Sequence, residues 1–327
     1  MSRSGEVSNS RSEQETSRRK FNMIHSNFEI LNKPWWKNSY DERDVVYFIS
    51  SIKKLQHAIL LTVSDNENDE LFWKGYINLH REHYLLECIS VESDVDLTIE
   101  FVRKSLKEPG FLSVFMDWLC RKFFAKSCII PDRTSRLAKK IKNLHNAMNS
   151  IFPNMFFPKL SIDNFTPELA QQLHRLIGDE LIKDAGQYRK KSVMAAQTDF
   201  IYMSPELIED RMNELFCQAR EKFKRTDLQL EEAIKFGSCF ISYFLIIHPF
   251  INGNGRVARL LLSYLLSRFT VLPLSLYTES NTRDIYLQCL QEAQNDHLFK
   301  PSALAAFILE SIYITAEKIC VVMDIEV

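Results

Sequence analysis

Glycine is scarce in this chain, with eight in 327 residues against an average usage of about 7%. That rules out collagen-like and glycine-rich low-complexity architectures. Net charge is also nearly absent, at −1 from 41 basic and 42 acidic side chains. The chain therefore lacks the basic footprint of a nucleic-acid binder, and no nucleic-acid partner is expected. Long apolar runs are missing too. The longest, Phe236 to Ile247, is too short to span a bilayer, so no membrane partner is expected. The first twenty residues are rich in Ser, Arg and Glu and show no signal-peptide pattern. The seven cysteines (88, 120, 128, 217, 239, 289 and 320) are odd in number, scattered and without metal-ligand spacing. They read as free, buried thiols in a reducing compartment rather than a disulfide framework. The expectation is a cytoplasmic or nuclear protein with a disordered tail over residues 1–20.

What is present is apolar and aromatic: 46% and 12% of residues, enough for a large folded core. Residues 21–155 read as an N-terminal helical region whose role the sequence does not give. In it, Trp35, Trp36, Phe72 and Trp73 are expected in the core. His80, Glu82 and His83 do not have His-Glu-x-x-His spacing and read as a surface helix. The basic run Arg136 to Lys142 keeps Leu137 and Ile141 at helical spacing, which reads as the wet face of a helix. In residues 156–327, Thr166-Pro167-Glu168 and Ser204-Pro205-Glu206 each pair a capping hydroxyl with proline at the first helical position. Helices are expected from Ser204 to Phe223, Asp227 to Ile247, Asn254 to Phe269, from near Asn281, and from Ser302 to Val322. The stretch Ser192 to Met203 reads as a small β-hairpin. The fold class is all-α with one flap.

Two of the few glycines stand together in His248-Pro249-Phe250-Ile251-Asn252-Gly253-Asn254-Gly255-Arg256-Val257-Ala258-Arg259. An apolar run precedes them and an apolar helix pattern follows. A helix starting after such a loop turns its free N–H groups and positive dipole end back into it, which makes an anion site suited to phosphate. His248 arrives at the mouth of the loop and can accept a proton at neutral pH. Pro249 stops the preceding helix, and Phe250 is the apolar peg that holds the loop to the core. Arg256 and Arg259 share one helix face, where guanidinium groups can grip phosphate oxygens. Taken singly, these are a packed histidine, a turn and a solvated face. Together, between two apolar helices, they read as a site.

This string resembles the signature of the Fic family, His-Pro-Phe-x-(acid)-Gly-Asn-Gly-Arg-x-x-Arg. Weaker similarity extends to Gly186-Gln187-Tyr188-Arg189 upstream, and to Gln294-Asn295-Asp296, Pro301 and Phe307 downstream, covering about residues 160 to 312. The resemblance implies a Fic-type helical core in residues 156–327 and transfer of AMP from ATP to Ser, Thr or Tyr hydroxyls of target proteins, this chain included. His248 would be the base. Gly253, Asn254, Gly255, Arg256 and Arg259 would bind the nucleotide, and Mg²⁺ or Mn²⁺ would accompany it. A flap carrying Ser192, Gln197 and Met203 would hold the target edge to edge. The intact Gly-Asn-Gly favours nucleotide transfer over the other chemistries of the family.

One position departs from the signature. Asn252 stands where family members usually hold the metal with a carboxylate, and its amide oxygen adds no charge. Weaker metal binding, a different metal preference and a silent nucleotide- or partner-binding module all remain open. The family's inhibitory pattern, Ser/Thr-x-x-x-Glu-Gly/Asn, is not found. Its nearest approach is Ser275-x-x-x-Glu279, followed by Ser280. AMP removal would need a glutamate near Arg259, and the missing pattern argues against that reaction. A homodimer is left open.

Overall fold

The apolar periods of the sequence close into ten helices among the described residues. The structure is a computed structural model that describes residues 24, 26–65, 70–91, 98–106, 133–195, 201–276, 282–295 and 300–326. The tail over 1–20, the Phe72 side chain and Gln197 lie outside them. The helices are α1 Val45–Asp65, α2 Glu70–Ser90, α3 Ile99–Leu106, α4 Arg133–Ile151 and α5 Pro167–Gly178, then α6 Ile208–Phe223, α7 Leu230–Ile247, α8 Asn254–Leu265, α9 Thr282–Asn295 and α10 Ser302–Val322.

Helix α7 is the axis of the fold because nearly every residue along it is buried, Phe236, Phe240 and Phe244 included. A helix apolar all round must be covered on every side, and α6, α8, α9 and α10 cover it. Helix α10 is almost as apolar and lies between α7 and α1. Helix α5 packs on α4 and α8, and α8 also touches α2. The hydrophobic core runs without a break from Phe28 to Cys320, across residue 155. No helix among the described residues is long and apolar enough to cross a membrane.

The helix limits follow the sequence reading closely, with informative differences. The motif helix ends its α-form at Leu265 and tightens into a 3₁₀ turn over Leu266–Phe269. Proline does open α5 at Pro167, but neither expected hydroxyl caps its helix. Thr166 bonds the Glu168 carboxylate instead, and Ser204 Oγ donates to the Glu206 carboxylate. A nearby carboxylate forms charge-assisted hydrogen bonds, and here it takes both hydroxyls. Of the expected hairpin, the described residues contain one antiparallel bridge, Met194 to Ile201, supported by Tyr202 N–H donating to the Val193 carbonyl at 3.2 Å. Residues 196–200 lie outside the description.

Two expectations about the N-terminal helices need correction. Trp35 is 46% exposed, because Trp36 takes the inner position, donating Nε1–H to Glu310 at 2.9 Å and meeting Phe307 edge-on. His80 is not on a wet face: its Nε2 lies 2.9 Å from the Pro273 carbonyl and so ties α2 to the segment after α8. Arg136 and Lys142 are exposed beside buried Leu137 and Ile141, as a wet helix face requires. The five cysteines described are free, and all except Cys217 are buried.

Burial lowers the pKa of His80 to about 4, its bond to the Pro273 carbonyl opposing the shift. The unfolded chain takes up this proton near 6.5. Stability is therefore expected to fall as pH drops from about 6.5 towards 4 and to level off below. Urea denaturation across that range should show the slope, and His80→Gln should make it shallower, with His174 and His248 supplying the remainder. An unchanged slope in the variant would mean that His80 does not supply it.

Candidate active site

Helix α7 ends at Ile247 because Pro249 cannot continue it. His248 then turns the chain by adopting left-handed backbone, φ 49° and ψ 59°. Non-glycine residues enter that region at a cost and are held there by their surroundings. Its Nδ1 lies 3.3 Å from the Leu245 carbonyl. A carbonyl can only accept, so Nδ1 carries the hydrogen and Nε2 keeps its lone pair. Tyr202 lies flat against the ring, with centroids 3.7 Å and planes 19° apart. Burial lowers the His248 pKa to about 4, with the Leu245 carbonyl opposing and the Arg189 charge adding to the shift.

The next residues form a self-locked loop. Phe250 is fully buried. Its N–H donates to Asn254 Oδ1 at 3.0 Å, and Asn254 Nδ2 donates back to the Phe250 carbonyl at 2.8 Å. Gly253 has φ +78°, a conformation that explains the glycine. Gly255, by contrast, lies within the first turn of α8. Asn252 and Ile251 are exposed, and Asn252 Oδ1 accepts from Gly253 N–H at 2.7 Å. The Arg256 guanidinium folds over Gly253, close enough that a Cβ there would stand 3.4 Å from Nη2.

Arg256 and Arg259 are both buried, each 4% exposed. Arg259 Nη2 donates to the Cys88 carbonyl near the end of α2 at 2.8 Å. A cation at a helix C-terminus meets carbonyls left without helical partners. The N-terminal helices therefore reach the motif helix at this arginine. In the segment expected to form the hairpin, Ser192 is exposed. Met203 is half-buried, its N–H donating to the Ile246 carbonyl at 3.4 Å.

Three residues that the sequence reading left without a role shape this site. Buried Arg189 donates Nε–H to the His248 carbonyl at 2.7 Å, Nη1 to Lys191 at 2.9 Å, and Nη2 to Ile247 at 3.2 Å and to Met203. His174 lies under the loop, bonded to Gly186 and Asn252, and Tyr202 covers the His248 ring. Arg189 was visible in the Gly186-Gln187-Tyr188-Arg189 string. Nothing in the sequence separates His174 from a core residue, or Tyr202 from its neighbours.

A cation finds few protein donors here. Asn252 offers one neutral oxygen, already engaged by Gly253 N–H, and no cluster of three His, Cys, Asp or Glu able to hold a metal occurs among the described residues. The residues present do not fit a resident metal ion.

Residues 164–266 match the sequence model of the Fic/DOC family. A Fido domain-containing protein of Dictyostelium discoideum is 37% identical over 86 residues, 26% of this chain and 57% of that protein. The protein adenylyltransferase Fic of Nematostella vectensis is 33% identical over 98 residues, 30% of this chain and 22% of its own length. The chain thus spans just over half of the first relative and under a quarter of the second. A solved Fic family protein from Desulfovibrio desulfuricans superposes with a TM-score of 0.58 over 90% of this chain and 78% of its own, at 16% identity. The shared fold therefore includes helices that precede residue 164.

Tyr202 supplies part of the burial that keeps His248 neutral. In Tyr202→Ala the His248 titration, followed by NMR, should move up from about 4 towards the ordinary value near 6.5. Tyr202→Phe keeps the stack and should leave it low. A titration unmoved in Tyr202→Ala would show that the ring does not shield His248.

Proposed function

We propose that this chain, whose residues 164–266 match the sequence model of the Fic/DOC family, is a protein adenylyltransferase, moving AMP from ATP to Ser, Thr or Tyr hydroxyls of target proteins. The observation that carries the reading is the tautomer of His248. Its hydrogen is committed to the Leu245 carbonyl through Nδ1, which leaves Nε2 as a proton acceptor on the residue six positions before the start of α8. The target oxygen bonds to the α-phosphorus, the bond from that phosphorus to the bridging oxygen breaks, and pyrophosphate leaves. The hydroxyl proton passes to His248 Nε2. The backbone of Gly253, Asn254 and Gly255 faces the phosphates, with Arg256 and Arg259 as cationic partners. Ser192 and Met203 flank the segment that would receive the target, and Gln197, the third residue expected there, lies outside the described residues. Mg²⁺ or Mn²⁺ would enter as the counter-ion of the nucleotide, and Asn252 stands at the position where the family signature has its acid.

A second reading, a silent nucleotide- or partner-binding module, is favoured by the uncharged Asn252 and by the Arg259 bond to the Cys88 carbonyl. Incubation with ATP labelled on the α- or the γ-phosphate separates the two. Protein-bound label from the α position alone is expected, lost by about 10²–10⁴-fold in His248→Ala. No α-label transfer from wild type with either metal supports the silent module.

The His248 pKa also sets a pH limit. The base works when neutral, so kcat/KM is expected to hold down to about pH 5 and to fall as His248 gains its proton near 4. An acid limb near 6.5 would contradict a buried, neutral base in the free protein. Asn252→Asp supplies a charged oxygen for a hard cation, so the rate should saturate at lower Mg²⁺ concentration. A higher Mg²⁺ requirement in that variant would remove position 252 from the cation's surroundings.

A further inference from the structure

His174 is fully buried in α5, and its ring joins two segments distant in sequence. Nδ1 accepts from Gly186 N–H at 2.8 Å, and Nε2 lies 2.9 Å from the Asn252 carbonyl. An amide N–H only donates and a carbonyl only accepts, so the ring is neutral with its hydrogen on Nε2. Phe250 lies flat against it, with centroids 3.9 Å and planes 5° apart. Gly186 has φ +84°, which directs its N–H where a side-chain-bearing residue would be strained. A packed core ring needs only the stack. This ring has both nitrogens committed as well.

The consequence lies in the peptide between Asn252 and Gly253. A trans peptide is planar, so its C=O and N–H point in opposite directions. Drawing the Asn252 carbonyl towards α5 turns Gly253 N–H away from α5, where its acceptor is the exposed Asn252 side chain at 2.7 Å. An incoming anion can replace an exposed acceptor of that kind. We propose that His174 is a positioning residue of the anion loop, aiming Gly253 N–H at the bound phosphate through the Asn252 peptide. The adenylyl-transfer reading enters only in naming the anion; the orientation of the peptide stands without it.

Three measurements test this. Nitrogen NMR of ¹⁵N-histidine-labelled wild type should show His174 as the Nε2–H tautomer, and finding the hydrogen on Nδ1 overturns the proposal without any variant. His174→Phe keeps the stack but loses both hydrogen bonds, whereas His174→Gln retains a donor and an acceptor. In the Phe variant, amide exchange at Gly253 should quicken about tenfold, the effect of one lost hydrogen bond, while amides in the middle of α8 stay protected. Affinity for inorganic pyrophosphate should weaken by a similar factor, with His174→Gln recovering most of both effects. Wild-type exchange at Gly253 in the Phe variant, or a folded Gln variant no better than Phe, would reduce His174 to packing. If wild type binds neither pyrophosphate nor ATP, adenylyl transfer fails as the function, and the tautomer and exchange results still decide the role of His174.

Discussion

One buried guanidinium holds the candidate site in shape. Arg189 donates to four main-chain carbonyls, those of Ile247, His248, Lys191 and Met203, and its own N–H reaches the Pro249 carbonyl at 2.9 Å. The last carbonyls of a helix lack partners, and a buried cation needs several acceptors. Placing one at the end of α7 answers both requirements, and hydrogen bonds to a charged group contribute about 1.5–3 kcal/mol each. The left-handed turn at His248, the entry to the loop and the segments at Lys191 and Met203 all hang on this one side chain. Burial lowers the Arg189 pKa and exposed Glu206 opposes that; the guanidinium remains charged.

Two histidines on either side of that clamp are held neutral and in opposite tautomers. His248 places its hydrogen on Nδ1, towards the Leu245 carbonyl, leaving Nε2 as an acceptor. His174 accepts at Nδ1 and donates from Nε2. Burial lowers both pKa values to about 4. The same physical cause thus leaves a ring nitrogen with a lone pair to spare in one case and a ring with both nitrogens engaged in the other. What distinguishes them is which main-chain group each ring meets, and that depends on Arg189 and Gly186 rather than on the histidines themselves.

Much of this was legible in the sequence, for local reasons. The apolar period of Phe236 to Ile247, Pro249 after it, and the spacing of Arg256 and Arg259 define two helices and the loop between them, and the structure puts α7 and α8 there. The end at Val322 and the start at Ser302 were readable because α10 is largely apolar along its length. Interactions between distant segments were not. His174 meets Asn252 across 78 positions and Arg259 meets Cys88 across 171, and no local pattern encodes either. The exposed Trp35 and the uncapped Thr166 and Ser204 failed for a related reason. Propensity identifies a residue type suited to a role, while the nearest competing partner decides whether it takes that role.

The central claim is a preformed phosphate site at the start of α8. The direct test is a crystal structure of the chain with a non-hydrolysable ATP analogue and Mg²⁺. The account predicts phosphates at Gly253 to Arg256, Asn252 Oδ1 released from Gly253 N–H, and the Asn252 carbonyl still held by His174. Phosphates bound instead in the polar cleft between Lys159, Asn164 and Tyr264, or a Gly253 peptide that has flipped, would contradict it.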